Sequence, residues 1–291
     1  MNLRGGVGRA VGALALGAGL LVGAAPAIAV PAPTSAVLTT TAAAARAELV
    51  VFGDSYSAGI GAGTMQPNPQ IPGCYQAAPG YGDLLGQRAQ LHLAMNAACY
   101  GATSLSVQRQ IAIAVDGGYL DTDTGLVTIT AGGNDVDFGG ILHACREGTP
   151  ACQRAIGVAS ASIPAVRSAL VADYSVMRQR APNATIVALG YPHLLDPSIA
   201  GTGMISAEAA SLFNGGTDVL NAAIADAAAQ VPGVVYADVV GRFAGHGIGA
   251  ADPWIWFDPA GTDPRAFHPT ALGYKGGYYQ AVISLIGAAQ L

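Results

Sequence analysis

The sequence predicts an α/β fold built on a doubly wound sheet of about five parallel strands, with helices on both faces. Three observations carry that prediction. Five short apolar runs are spaced along the chain. Helical stretches stand between them in regular order. The 291 residues provide for one sizeable domain and a removable leader.

The leader comes first. Arg4 and Arg9 form a positive start, Val11 to Val22 an apolar stretch, and Ala27-Ile28-Ala29 a small-residue cleavage site. Residues 1–29 therefore read as a secretory signal peptide. The apolar run is shorter than the roughly 20 residues of a spanning helix, which disfavours a retained anchor. Residues 30–47, rich in Ala, Thr and Pro and without periodicity, read as a flexible lead-in to a domain spanning 48–291.

The first strand is Glu48 to Phe52, stopped by Gly53. Further strands are expected at Leu91 to Ala97, Leu126 to Thr130, Thr185 to Leu189 and Val234 to Ala237. Helices are expected at Tyr81 to Ala89, Leu105 to Val115, Ala161 to Arg180, Ala207 to Gln230 and Ala271 to Ala289. Five strands in such an alternation suit a flavodoxin-like sheet better than a barrel. Three long loops remain: Gly61 to Gly80, Phe138 to Gly157, and Gly241 to Phe267. Long loops in compact domains often line sites.

Composition narrows the function. Removing the leader takes away two arginines and no acids, leaving 11 basic against 18 acidic side chains, a formal charge of −7. Lys275 is the single lysine. No basic stripe is present to hold a nucleic acid. The four cysteines of an exported chain favour disulfides, and the smaller loops are closed by Cys74–Cys99 and Cys145–Cys152. No CxxC pair or clustered Cys/His spacing points to zinc, and no metal or cofactor is expected.

The chemistry gathers at strand ends. Gly53-Asp54-Ser55 follows the first strand and puts a serine at the carboxyl edge of the sheet. Alone, this tripeptide is as readily a turn as a nucleophile, and the Gly-x-Ser-x-Gly elbow is absent. The second strand ends near Gly101 and the third at Gly132-Gly133-Asn134. A backbone N–H at Gly101 and the Asn134 amide are suited to a developing oxyanion. His268 stands just before a helix that Thr270 can cap, and it supplies an imidazole base at the same edge. His92, His143, His193 and His246 lack such a context and read as surface or structural groups.

These four blocks, in order from Gly53 to His268, resemble the SGNH hydrolase superfamily, the GDSL-type esterases and lipases, and among them secreted, disulfide-bearing bacterial members. The resemblance implies the SGNH fold, Ser55 as nucleophile and His268 as general base and acid. It also implies an oxyanion hole from the Ser55 N–H, the Gly101 N–H and the Asn134 side chain. Two positions depart from the family pattern. Tyr56 stands for the leucine of the GDSL name, and Arg265 stands where the family places an aspartate three residues before the histidine. The group orienting His268 is then a backbone carbonyl of Arg265 or Ala266, with the Asp263 carboxylate as rival and Asp258 behind it.

The expected activity is hydrolysis of carboxylic esters through an acyl-enzyme, by a monomer that touches lipid surfaces transiently. Lipid, phospholipid and acetylated-glycan esters all fit the residues, and an acyltransferase would share every one of them. A non-catalytic lipid- or glycan-binding module is the remaining alternative, disfavoured by the presence of all four blocks. Trp254, Trp256 and Phe257 are candidates either for an acyl pocket or for loop packing.

Overall fold

The computed structural model describes residues 46–197, 205–259 and 262–287. The expected leader, the lead-in up to residue 45 and the end of the expected closing helix lie outside the described residues.

Five strands form one parallel sheet: β1 (Ala47–Gly53), β4 (Leu91–Asn96), β5 (Thr124–Thr130), β6 (Thr185–Leu189) and β7 (Val234–Ala237). Their spatial order is β4-β1-β5-β6-β7, every neighbouring pair parallel. Counting only these five, the second strand lies outside the first and the rest follow in sequence. That is the flavodoxin-like order, whose direction reverses beside β1. Leu49, Val50, Val51 and Phe52 are wholly buried, as expected of a central strand covered on both faces. Ala47, the last residue assigned to the lead-in, is already part of β1. Two very short strands, β2 (Gln66–Pro67) and β3 (Tyr75–Gln76), pair inside the Gly61–Gly80 loop.

The helices are α1 (Tyr81–Gly86), α2 (Ser104–Asp116), α3 (Phe138–Glu147), α4 (Thr149–Arg180) and α5 (Ala207–Ala229). Two short helices near the C-terminus, α6 (Ala271–Gly273) and α7 (Gln280–Ile283), flank a π-helical turn at Tyr274–Tyr279.

Three expectations are corrected. The stretch 138–157 is not a loop: it holds α3 and the first turns of α4. Glycines at 139, 140 and 148 and Pro150 look like breakers, but Pro150 sits in the first turn of α4, where a missing N–H costs nothing. The helix expected from Ala161 therefore begins at Thr149. The closing helix is interrupted rather than continuous, and α7 ends at Ile283. A Cβ on Gly276 would meet the Trp254 ring, and one on Gly277 the Phe243 ring, so this turn packs its backbone directly on aromatics. The first helix is also shorter than expected, ending at Gly86. Both disulfides join the expected pairs, Cys74–Cys99 and Cys145–Cys152.

Candidate active site

β1 leaves the sheet through Gly53, whose φ of 117° favours glycine and whose Cβ would collide with the Thr130 carbonyl. The chain then turns sharply, and the buried Ser55 stands over the carboxyl edge of the sheet. His268 reaches it from the far end of the chain, with Nε2 2.8 Å from the Ser55 Oγ. The other ring nitrogen, Nδ1, lies 3.0 Å from the Ala266 carbonyl oxygen. A carbonyl only accepts, so Nδ1 carries the proton and Nε2 is left to accept from the serine hydroxyl.

Of the expected orienting groups, the Ala266 carbonyl faces the imidazole. The Arg265 carbonyl accepts the backbone N–H of His268 instead. Asp263 is engaged elsewhere: its carboxylate takes Nε and Nη2 of Arg265 at 3.0 and 2.7 Å. Asp258 accepts the backbone N–H groups of Thr262 and Asp263.

Gly101 and Asn134 border the same pocket as Ser55 and His268. Gly101 has a φ of 74°, the left-handed conformation that glycine adopts freely. One hydrogen of the Asn134 amide is donated to the Ala102 carbonyl, 2.8 Å away, which fixes the amide and leaves its other hydrogen for a ligand. Asp135 beside it accepts the Ser104 hydroxyl at 2.6 Å and so ties this loop to the start of α2.

Burial pushes the His268 pKa down to about 4, against the opposing pull of the Ala266 and Arg265 carbonyls. The imidazole is therefore neutral, and able to act as a base, across the physiological range.

Several residues at the site have contacts that the sequence did not announce. Asp54 is buried and raised to about 6 by desolvation. Its carboxylate accepts the Tyr191 hydroxyl, the Thr130 hydroxyl at 2.7 Å and the Tyr56 backbone N–H at 3.0 Å. It thus binds the turn after β1 to the ends of β5 and β6. The Tyr56 hydroxyl donates to the Phe267 carbonyl at 2.6 Å, joining the serine and histidine segments. Tyr191 follows β6 at the same sheet edge, so the strand-end reasoning that found Gly101 and Asn134 would have reached it too.

Trp254, Trp256 and Phe257 do not line this pocket. Trp254 stacks on His246 at 3.7 Å, and Trp256 donates its indole N–H to the Gly61 carbonyl at 2.7 Å while Arg265 lies over its ring. The Trp256 backbone also exchanges hydrogen bonds with Phe267 and His268. These aromatics hold the histidine loop in place. The remaining histidines have the ordinary partners expected of them: Glu48 for His92, Glu147 for His143, Asp218 for His193 and Asp252 for His246. Among the described residues no cluster of three or more His, Cys, Asp or Glu could hold a metal ion.

Comparisons with known proteins place the chain in a family. Residues 51–275 match the GDSL-like Lipase/Acylhydrolase family. A lipase from Streptomyces rimosus is 31% identical over 233 residues, covering 79% of this chain and 84% of its own. The crystal structure of the extracellular lipase from Streptomyces rimosus superposes with a TM-score of 0.72 at 30% identity, covering 82% of this chain and 100% of that one. Phospholipase A1 from Streptomyces albidoflavus superposes with a TM-score of 0.74 at 30% identity, covering 83% and 100%. The chain belongs to the GDSL-like lipase/acylhydrolase family and is a serine hydrolase acting on ester bonds.

Proposed function

We propose that Ser55 and His268 form a catalytic dyad, oriented by the Ala266 carbonyl, that hydrolyses fatty-acyl esters of lipids outside the cell. The observation that carries this reading is the single line of contacts from Ala266 O to His268 Nδ1 and from Nε2 to Ser55 Oγ, at 3.0 and 2.8 Å. A carbonyl can orient the ring and stabilise the imidazolium, the two services an aspartate gives in a triad.

His268 Nε2 takes the hydroxyl proton as Ser55 Oγ attacks the acyl carbon. The carbonyl oxygen becomes an oxyanion, met by the Ser55 and Gly101 N–H groups and the free Asn134 amide hydrogen. As the intermediate collapses, the imidazolium returns the proton to the departing alkoxide, leaving an acyl-serine. Water, deprotonated by the same nitrogen, attacks this ester, and the carboxylic acid leaves as the serine recovers its proton.

The lipid substrate class is supported by the relatives, which are a lipase and a phospholipase A1. Export through residues 1–29 fits their company, since one is extracellular. The test is Ser55→Ala on an ester panel. A loss of about a thousandfold or more in kcat, with fluorophosphonate labelling abolished, is expected; a loss of less than about tenfold would refute the nucleophile.

A further inference from the structure

Alongside α2 runs an open groove with room for about 690 Å³, walled on its other side by Ile71 to Cys74 and meeting the catalytic pocket at Tyr100 and Gly101. We propose that this groove receives the alcohol part of the ester and that Arg109, within it, binds a phosphate carried there, so that phosphate-bearing glycerolipids are preferred to neutral ones. The proposal rests on the Ser55 reading above and adds what recognises the far side of the substrate.

The first support is position. The departing alkoxide takes its proton from His268, so the alcohol part lies on the histidine side of Ser55. Tyr100 stands on that side, its ring 5.9 Å from the imidazole, and borders both the catalytic pocket and the groove. Gly101 borders both as well, and a Cβ there would meet nothing within 4 Å, so the way past it is open.

The second support is charge. Acids outnumber bases in this chain, yet among the described residues no acidic side chain lines the groove. Arg109 is exposed there and has no hydrogen-bond or ion-pair partner among the described residues. Two polar neighbours are already committed: Ser106 pairs with Thr103 in the cap of α2, and Gln110 holds Gly53. The guanidinium is thus left to meet a ligand, and its planar fork suits two oxygens of a phosphate.

The third support is reach. Arg109 lies about 9 Å along α2 from its cap Thr103, at 1.5 Å per residue, and helical side chains lean back toward the N-terminus, here toward Gly101. In a glycerophospholipid the phosphate stands a few bonds from the acyl ester on the same glycerol. Leu105 and Ile113, one turn to either side of Arg109, offer hydrocarbon to that glycerol. The facing wall is fixed, because the Cys74–Cys99 disulfide and the hydrogen bond from the Tyr100 N–H to the Tyr75 carbonyl, 3.0 Å, tie it to the Gly101 segment.

The test compares dihexanoylphosphatidylglycerol with dihexanoylglycerol, both kept monomeric below their critical micelle concentrations so that no charged interface takes part. Arg109→Gln should lower the ratio of kcat/KM, phospholipid over diacylglycerol, by about tenfold or more, and Arg109→Glu should lower it further. Arg109→Lys, which keeps the charge but not the fork, should recover most of the ratio. Gln, Glu and Lys are all good helix formers, so each variant should keep the wild-type Tm. Ratios for Arg109→Gln and Arg109→Glu within about twofold of the wild type would overturn the proposal. An effect of Arg109→Gln confined to inhibition by inorganic phosphate would assign the arginine to a free anion and overturn it equally. Failure of the Ser55 reading is distinguishable, because it would appear as dihexanoylglycerol turnover and fluorophosphonate labelling that survive in Ser55→Ala.

Discussion

His268, the proposed base, carries an imidazole that burial holds well below the ordinary histidine range, at about 4. Tyr56 and Tyr100 flank the ring at 5.3 and 5.9 Å, and neither brings a charge that would favour the imidazolium. Because the lowered pKa belongs to the base form needed for attack, activity is present above it and lost as pH falls through it. The acid limb of kcat/KM should therefore have its midpoint near pH 4, with nearly full activity at about pH 6. A midpoint near 6.5 would show the ring to be solvated instead. The same geometry separates the histidine's supporters. Asp263→Ala removes a partner of Arg265 and should cost less than about tenfold in kcat, whereas His268→Ala should cost several orders of magnitude. The proposed nucleophile, base and oxyanion donors could be picked out in the sequence because each is a residue type with a suitable chemistry at a strand end. The carbonyl of Ala266 was one of several options, since its direction is set by Phe267. That residue takes a left-handed φ of 65°, which no residue-type pattern announces.

Between strands and helices a repeated device anchors the site. Gln110 of α2, buried, accepts the Gly53 N–H at 2.8 Å and donates to the Gly53 carbonyl at 2.9 Å. Asn221 of α5 does the same for Tyr191, at 2.8 Å in both directions. β1 and β6 each leave the sheet at this edge with a backbone N–H that a side-chain amide from a helix satisfies. Gln110→Ala leaves the Gly53 N–H buried without that partner and should cost about 1–3 kcal/mol in denaturant unfolding, with kcat falling more than KM rises. An unchanged midpoint would show that the pair contributes nothing measurable to folding. These amides were invisible in the sequence because a polar residue on a helix reads as its solvent face. The helical identity of 138–157 was hidden for a different reason. Gly139 and Gly140 depress local propensity, and the segment is held by the Cys145–Cys152 bond and by packing on α5 rather than by its own preference.

At the scale of the whole molecule the sheet order came through from the alternation of apolar runs and helices, since parallel strands need crossovers and the crossovers are long. What the alternation could not show is where charge is buried between those layers. Asp54 is raised to about 6 and Asp173, packed on α2 near Gln108, to about 7, in both cases chiefly by desolvation. Asp135 adds repulsion to each, and for Asp173 the Gln108 side chain pulls the other way. The unfolded chain releases these protons near pH 4 and the folded chain keeps them to about 6 and 7, so folding stability falls as pH rises across that interval. His268 opposes this, because its unfolded form binds a proton near 6.5 and its folded form only near 4. That contribution falls as pH drops and leaves the carboxylates alone above neutrality. Asp173→Asn removes the larger of the two carboxylate effects. It should match the wild type in Tm near pH 4 and exceed it near pH 8 by an amount on the order of 5 °C or more. A difference in Tm that stays constant between those pH values would mean that Asp173 ionises in the folded protein as easily as in the unfolded chain.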